Sequence, residues 1–365
     1  MQGGSKAARI AFPIEGVTLQ LPVSTLERTV ATGPEAPFAV RYVNSLAVRA
    51  LLNQSPGILG VVGFGADRPD FLPASCPFVA APLAPSVGDA MFEVWCATSP
   101  CRPLKIGPVT GACNDDLAFG AVTLDEAGSP SLEAAVEAAY LGIFDFLDAA
   151  GFAAPIRFWN YLTAITEDDS GLERYRRFNI GRHQAFSARL RQPLPPAASG
   201  VGGHRGASVI YFLAAHQAAQ AVENPRQVSA YSYPPIYGPR SPSFSRASIH
   251  RLGTAETLFV SGTASIVGHE TRHLGDLHGQ IAETIENLRA LIGAADQAAA
   301  APLGDCWAFK VYLHDSGYRE TVNRAIEAAF GSGCQRLYLR GDMCRSELLV
   351  EIEAFRHFEL GVRSR

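Results

Sequence analysis

Apolar and polar positions alternate through the stretch ELLVEIEAF (347–355). Leu348, Val350 and Ile352 fall on one face of a strand, and Glu347, Leu349, Glu351 and Glu353 on the other. The apolar face needs a cover, which helices would supply. The acidic face is costly to bury without partners, so it is either solvated or part of a site. Just upstream, Gly341 and Asp342 mark a tight turn that leads through Cys344 and Arg345 into the strand.

The same kinds of pattern recur along the chain in a fixed order. A strand at 117–124 is followed by a turn at 128–130 and a helix at 131–151. The helix has a 3.6-residue apolar repeat and a terminal Gly. A strand follows at 156–165. Asp168, Asp169 and Ser170 then predict the cap of a second helix at 171–186. A Pro- and Gly-rich loop spans 192–206, and a further strand lies at 207–215. About 140 to 150 residues later the order returns: strand 257–267, helix 275–296, strand 307–315, helix 316–330, then strands 336–340 and 347–355. One order of elements at one offset indicates internal duplication of an α/β module, with helices on one face of a mixed sheet. Residues 8–90 are punctuated by Pro and Gly. Apolar runs at 38–42 and 58–64 and a short helix at 45–52 predict a small α+β module there. The segment 98–108 reads as a loop or boundary.

Composition narrows the function classes. The chain has 365 residues, enough for two or three domains; 47% are hydrophobic and 18% charged, with a net charge of −4. No polybasic run or aromatic–basic ladder suggests nucleic-acid binding. The seven cysteines are irregularly spaced without C-x-x-C, which predicts free thiols and a reducing compartment. No secretory leader and no membrane-spanning run is read, so a cytoplasmic setting is expected.

The later module resembles the RidA/YjgF family. The resemblance rests on YPPIYGPRSPSFSRA (233–247), FVSGTAS (259–265), ETIENLRALI (283–292), KVYLHD (310–315) and VEIEAF (350–355). It implies modules of that fold, with sites in the clefts between neighbours. Two such modules plus an N-terminal segment of fitting length imply three in one chain, at 1–95, 96–222 and 223–365. Their pseudo-threefold arrangement would let a monomer work without a partner subunit. Over the later two thirds, RYRRFNIGRHQAF (174–186), SAYSYPPIYGPRSPSFSRA (229–247), LFVSGTASIVGHETRHLGD (258–276) and GDMCRSELLVEIEAF (341–355) resemble the chorismatases. These are RidA-related enzymes that remove the enolpyruvyl group of chorismate as pyruvate.

That resemblance implies the roles that follow. Glu351, the first Glu of VEIE, would protonate the enol ether methylene carbon, an acid's task that burial and neighbouring carboxylates favour. Glu353 is the substitute if the register differs by two. Arginines suit the two substrate carboxylates: Arg240, Arg345, Arg182 and Arg246 are candidates, and Arg336 aligns with the carboxylate-binding arginine of RidA-like proteins. Arg176 and Arg177 are weaker candidates, at least one of them on the outer face of its helix. Tyr237, Tyr233 and Ser245 lie in a Pro-rich loop that would hold hydroxyls toward the ring. Cys344 and Gly262 would shape the pocket as in the 3-hydroxybenzoate-forming subgroup. Neither a metal nor an organic cofactor is expected, and the site is expected between the central and C-terminal modules.

Other readings stay open. Hydrolysis to a dihydrodiol would need the same acid. A RidA-like enamine/imine deaminase would centre on Arg336, and a ligand-binding module would not depend on Glu351. HETRH (269–273) satisfies H-E-x-x-H, but Gly268 and Gly275 break the helix that a zinc site needs. The G-x-G of VVGFGAD (61–67) lacks a third Gly and a following amphipathic helix.

Overall fold

In a computed structural model, which describes residues 38–253, 255–299 and 307–359, the closing strand Val350–Glu359 lies at the heart of a mixed sheet. It pairs antiparallel with Ala255–Thr263 on one side and Ala308–Leu313 on the other. Ala308–Leu313 pairs parallel with Gln335–Arg340, and Ala247–Leu252 lies between Ala255–Thr263 and the short edge strand Gln220–Val222. The helices Leu277–Ala298 and Arg319–Phe330 cover one face. Val350, Ile352 and Ala354 pack beneath them, as alternation requires. The strand is shorter at its start than expected. Residues 347–349 form a loop held by Gln280, whose side chain donates to the Glu347 carbonyl (2.9 Å) and accepts from Leu349 N–H (2.8 Å). Leu348 therefore joins the central core rather than the helix-covered face.

The central sheet repeats this plan. Leu117–Thr123 pairs with Val209–Ala215, which pairs with Ala154–Thr163, which runs parallel to Ala197–Gly203. The helices Leu132–Ala150 and Arg174–Arg189 follow the same connections. The first described sheet has the same order in reduced form: Phe38–Val43, Met91–Ala97, Gly57–Phe64 and Phe78–Ala81, with the helix Ser45–Gln54 after the first strand. The chain is thus an α/β protein of three modules of one topology. Register identifies equivalent positions: Met91, Val209 and Glu351 face Phe64, Tyr161 and Tyr312 across their strand pairs. Those three rings meet at the pseudo-threefold centre, with ring centroids 6.1 Å apart for Phe64–Tyr161 and for Tyr161–Tyr312. One apolar cluster draws on all three sheets, and each sheet's outer face has its own cluster under its helices. No described helix is long and apolar enough to cross a membrane.

Three local expectations differ. Ala197–Gly203 is a strand, not part of a loop. Its small residues are forced by crowding, since a Cβ at Gly203 would strike the Pro82 carbonyl and one at Gly202 would strike Ile165. The boundary at 98–108 contains the strand Arg102–Ile106, which forms a hairpin with Val109–Cys113. Asp168 and Asp169 do not cap a helix. Asp168 Oδ1 accepts from Gly171 N–H (2.8 Å) and closes a small hairpin. The helix starts at Arg174, where the carbonyls of Glu167 and Ile165 accept its first N–H groups (2.9 and 3.0 Å).

Candidate active site

A cavity of about 270 Å³ opens between the central and C-terminal modules. Glu173, Tyr175, Arg176 and the strand residues Ala198, Ser199 and Gly200 form its central-module wall. Tyr233, Tyr237, Phe244, Arg246, Gly262, Cys344, Arg345, Glu347 and Glu351 form the other. Of the residues expected from sequence, the fold brings together Glu351, Cys344, Gly262, Arg246, Arg345, Tyr233 and Tyr237, with Arg176 beside them.

Glu351 and Glu353 share one face of the closing strand and are both buried. Their surroundings differ. Glu353 accepts from Arg157 Nη2 (2.9 Å), Trp159 Nε1 (2.8 Å) and the Ser199 hydroxyl, and it pairs with Lys310 Nζ (2.9 Å). Burial alone would raise its pKa, but Lys310 and Arg157 outweigh that and hold it below the ordinary carboxylate value. Glu351 has no comparable partner. Burial first, then the neighbouring Glu353 charge, push it up to about 8, against smaller opposing effects of Arg157 and Arg246. One carboxylate is fixed and ionised. The other faces the cavity as a neutral acid at neutral pH.

The support for this pair crosses module boundaries. Lys310 also pairs with Glu93 of the first module (2.6 Å) and donates to Tyr211 Oη (2.9 Å). Ser199 lies on the glycine-rich strand. Its hydroxyl donates to Glu353 and accepts from Arg157 Nη2 (2.7 Å) and Gly262 N–H (3.1 Å). Gly262 sits where the register of Ala255–Thr263 shifts against the closing strand, a bulge that turns its backbone toward Glu351. A Cβ at Gly262 would overlap Glu351 Oε1. Beside them Cys344 is a neutral thiol, its pKa pushed up to about 12 by burial and by Glu351.

The loop that carries Cys344 also aims Arg345. Its guanidinium lies 4.2 Å from the Tyr237 ring centroid and donates to Thr271 Oγ1 and the His269 carbonyl (both 3.0 Å). Arg246 donates to Tyr233 Oη and the Val228 carbonyl (both 2.8 Å), and its buried Nε has no hydrogen-bond partner. These guanidiniums offer planar, rigidly held positive charge to an anionic ligand. Glu173 is the acidic member of the central-module wall. Burial raises its carboxyl, and Arg176, Glu347 and Arg345 are the nearby charges.

Five expected residues lie elsewhere. Arg240 is exposed and outside the cavity, because the Pro-rich loop turns it outward. Arg182 is buried against Phe178 and donates to Asn179 Oδ1 (2.8 Å) within the helix-covered core. Ser245 donates to the Pro195 carbonyl (2.7 Å) and ties the loop down instead of facing the cavity. Arg336 pairs with Glu327 (3.0 Å), away from the site. Arg177 pairs with Glu133 (2.5 Å) on the far side of its helix. HETRH is divided by geometry: Glu270–Thr271 is a strand, His269 Nδ1 meets Tyr237 Oη (3.1 Å), and His273 meets Glu283 (3.2 Å). Among the described residues no cluster of three or more His, Cys, Asp or Glu could hold a metal ion. Sequence reasoning missed Arg157, Lys310 and Glu93. The one available signal was a charge inside an otherwise apolar strand, as in AFKVYL.

Comparison with known proteins follows the same outline. Residues 93–214 match the family model described as chorismatase FkbO/Hyg5-like, N-terminal. A chorismatase of Streptomyces rapamycinicus is 36% identical over 292 residues, covering 77% of this chain and 87% of the relative. A 3-hydroxybenzoate synthase of Streptomyces hygroscopicus is 35% identical over 310 residues, covering 81% and 90%. A solved chorismatase structure superposes with a TM-score of 0.78 at 32% identity, over 87% of this chain and 98% of that one.

Proposed function

Because the chain belongs to the chorismatase family, we propose that it converts chorismate to 3-hydroxybenzoate and pyruvate, with Glu351 as the general acid. The observation that carries this reading is the neutral Glu351 carboxyl in the cavity, beside an ionised Glu353 and the guanidiniums of Arg246 and Arg345. An enol ether has a nucleophilic methylene carbon. Proton transfer from Glu351 makes it a methyl group and leaves an oxocarbenium ion next to the new carboxylate. The ring C–O bond then breaks, its electron pair goes to oxygen, and pyruvate leaves as the ketone. The ring keeps its single hydroxyl, which moves to the neighbouring carbon. Loss of one ring proton gives the aromatic product and can restore Glu351. The two products sum to chorismate, so no water, oxidant or cofactor enters the balance.

Cys344 supports the aromatic outcome by narrowing the cavity beside the acid, which disfavours a water at the oxocarbenium carbon, while Gly262 leaves the room that the Glu351 carboxyl fills. Arg246, Arg345 and Arg176 would take the substrate carboxylates, and Tyr237 and Tyr233 would flank the ring. We also infer that the modules at 1–95, 96–222 and 223–365 work as one monomer, since both walls of the cavity come from the same chain. The six described cysteines are free, in keeping with a cytoplasmic setting. The test is incubation with chorismate, with pyruvate quantified and ring products separated by chromatography. Equal amounts of pyruvate and 3-hydroxybenzoate are expected. A non-aromatic diol would overturn the product assignment, and no pyruvate would overturn the reaction.

A further inference from the structure

The pieces that wall the catalytic cavity meet a second time, between the N-terminal and central modules. The strand Phe78–Ala81 takes the place of Ala197–Gly203, and residues 65–67 take the place of 173–176. Val209 occupies the position of Glu351. Here they enclose a cavity of about 970 Å³, a size that falls within the range of small-molecule sites, roughly 300–1,000 Å³.

Ala, Val, Pro and Leu side chains supply about half of this cleft's lining and polar groups the rest, and two arginines stand at its mouth. Arg205 and Arg340 line it from the central and C-terminal modules, both exposed, and neither enters an ion pair among the described residues. Asp67 is the acid on the opposite rim, and His204 is turned toward Asp342 (3.6 Å). Deeper in the wall, Ser86 is 9% exposed and its hydroxyl has no hydrogen-bond partner. A buried hydroxyl without a partner costs free energy that a ligand's polar atom would recover.

We propose that this second cleft is a non-catalytic binding site for a small organic carboxylate with an apolar ring, of the benzoate class. The ring would lie on the wall around Val209, the carboxylate would meet Arg205 and Arg340, and a ring substituent could reach Ser86. Val209 has no proton to give, so binding here leads to no turnover. The inference rests on this cleft's own residues and holds whichever reaction the first cavity performs.

The test is calorimetric titration of the full-length protein with benzoate and with 3-hydroxybenzoate, in an Arg345→Ala background that weakens carboxylate binding in the first cavity. Arg205→Ala/Arg340→Ala removes the charge at the mouth, and Thr110→Trp fills the cleft from an exposed position. Binding tighter than roughly 1 mM is expected, weakened about tenfold or more in both variants while their thermal unfolding stays unchanged. Binding of equal strength in both variants, or none in the Arg345→Ala protein at that concentration, would overturn the proposal.

Discussion

Gly262 lies so close to the carboxyl of Glu351 that a Cβ would overlap Oε1 and stand 2.7 Å from Cδ. The bulge in Ala255–Thr263 brings this backbone in, and the closing strand fixes the carboxyl from the other side. Gly262→Ala must therefore shift the Glu351 carboxyl, the far end of a flexible side chain. Pyruvate release from chorismate is expected to fall by about tenfold, less than the ~10²-fold or more that loss of a positioned acid brings. A coupled lactate dehydrogenase assay reads it, and a native rate would show that the carboxyl does not act from this position.

The pH dependence follows from the charge on Glu351. The acid must be protonated, and its pKa is pushed up to about 8. Then kcat/KM should be flat below that value and fall about tenfold per pH unit above it. A profile that rises through pH 8 would assign Glu351 the role of a base.

The same burial has a stability cost of opposite sign to that of an ordinary ion pair. In the unfolded chain a glutamate ionises near pH ~4.3. The native state binds the extra proton, so its relative stability is greatest below that pH and declines as pH rises through about 8. At pH 7 the cost is roughly 3–4 kcal/mol. Glu351→Gln removes it, and the variant is expected to unfold at higher denaturant concentration than the native protein. Equal midpoints at pH 7 would mean that Glu351 is solvated.

Lys310 lies 2.6 Å from Glu93 and 2.9 Å from Glu353 in the buried centre. Lys310→Met leaves Glu93 without its cation and removes one of two from Glu353. A loss of about 3–5 kcal/mol in unfolding free energy is expected by urea titration. A loss below about 1 kcal/mol would show that these charges do not depend on one another.

The two arginines nearest in type separate binding from surface charge. Arg345, stacked on Tyr237 in the cavity, is expected to raise KM for chorismate about tenfold or more when changed to Ala. Arg240→Ala, exposed and outside the cavity, should leave kcat and KM within about twofold. A reversed order would place the carboxylate contacts in the Pro-rich loop.

Much of this arrangement could be read from local pattern. Val350 and Ile352 announce a strand with one covered face, and the long helices follow from their 3.6-residue repeat. Glu351 and Gly262 come together because motif and module order place them on neighbouring strands, and Cys344 joins them from the loop that leads into the closing strand. The support was not legible in the same way. Ala197–Gly203 has no alternation, since it is buried among neighbours that leave no space for a Cβ at Gly202 or Gly203. Arg157, Lys310 and Glu93 come from three modules, and nothing near any one of them in sequence tells of the others. Arg240 and Arg345 look alike as turn arginines, and only the course of the backbone separates them.

The most direct measurement is the rate of pyruvate release by Glu351→Gln at saturating chorismate, with chorismate binding followed in parallel. A loss of about 10²-fold or more in rate with binding retained is expected. Pyruvate release at the native rate by Glu351→Gln would mean that Glu351 is not the general acid.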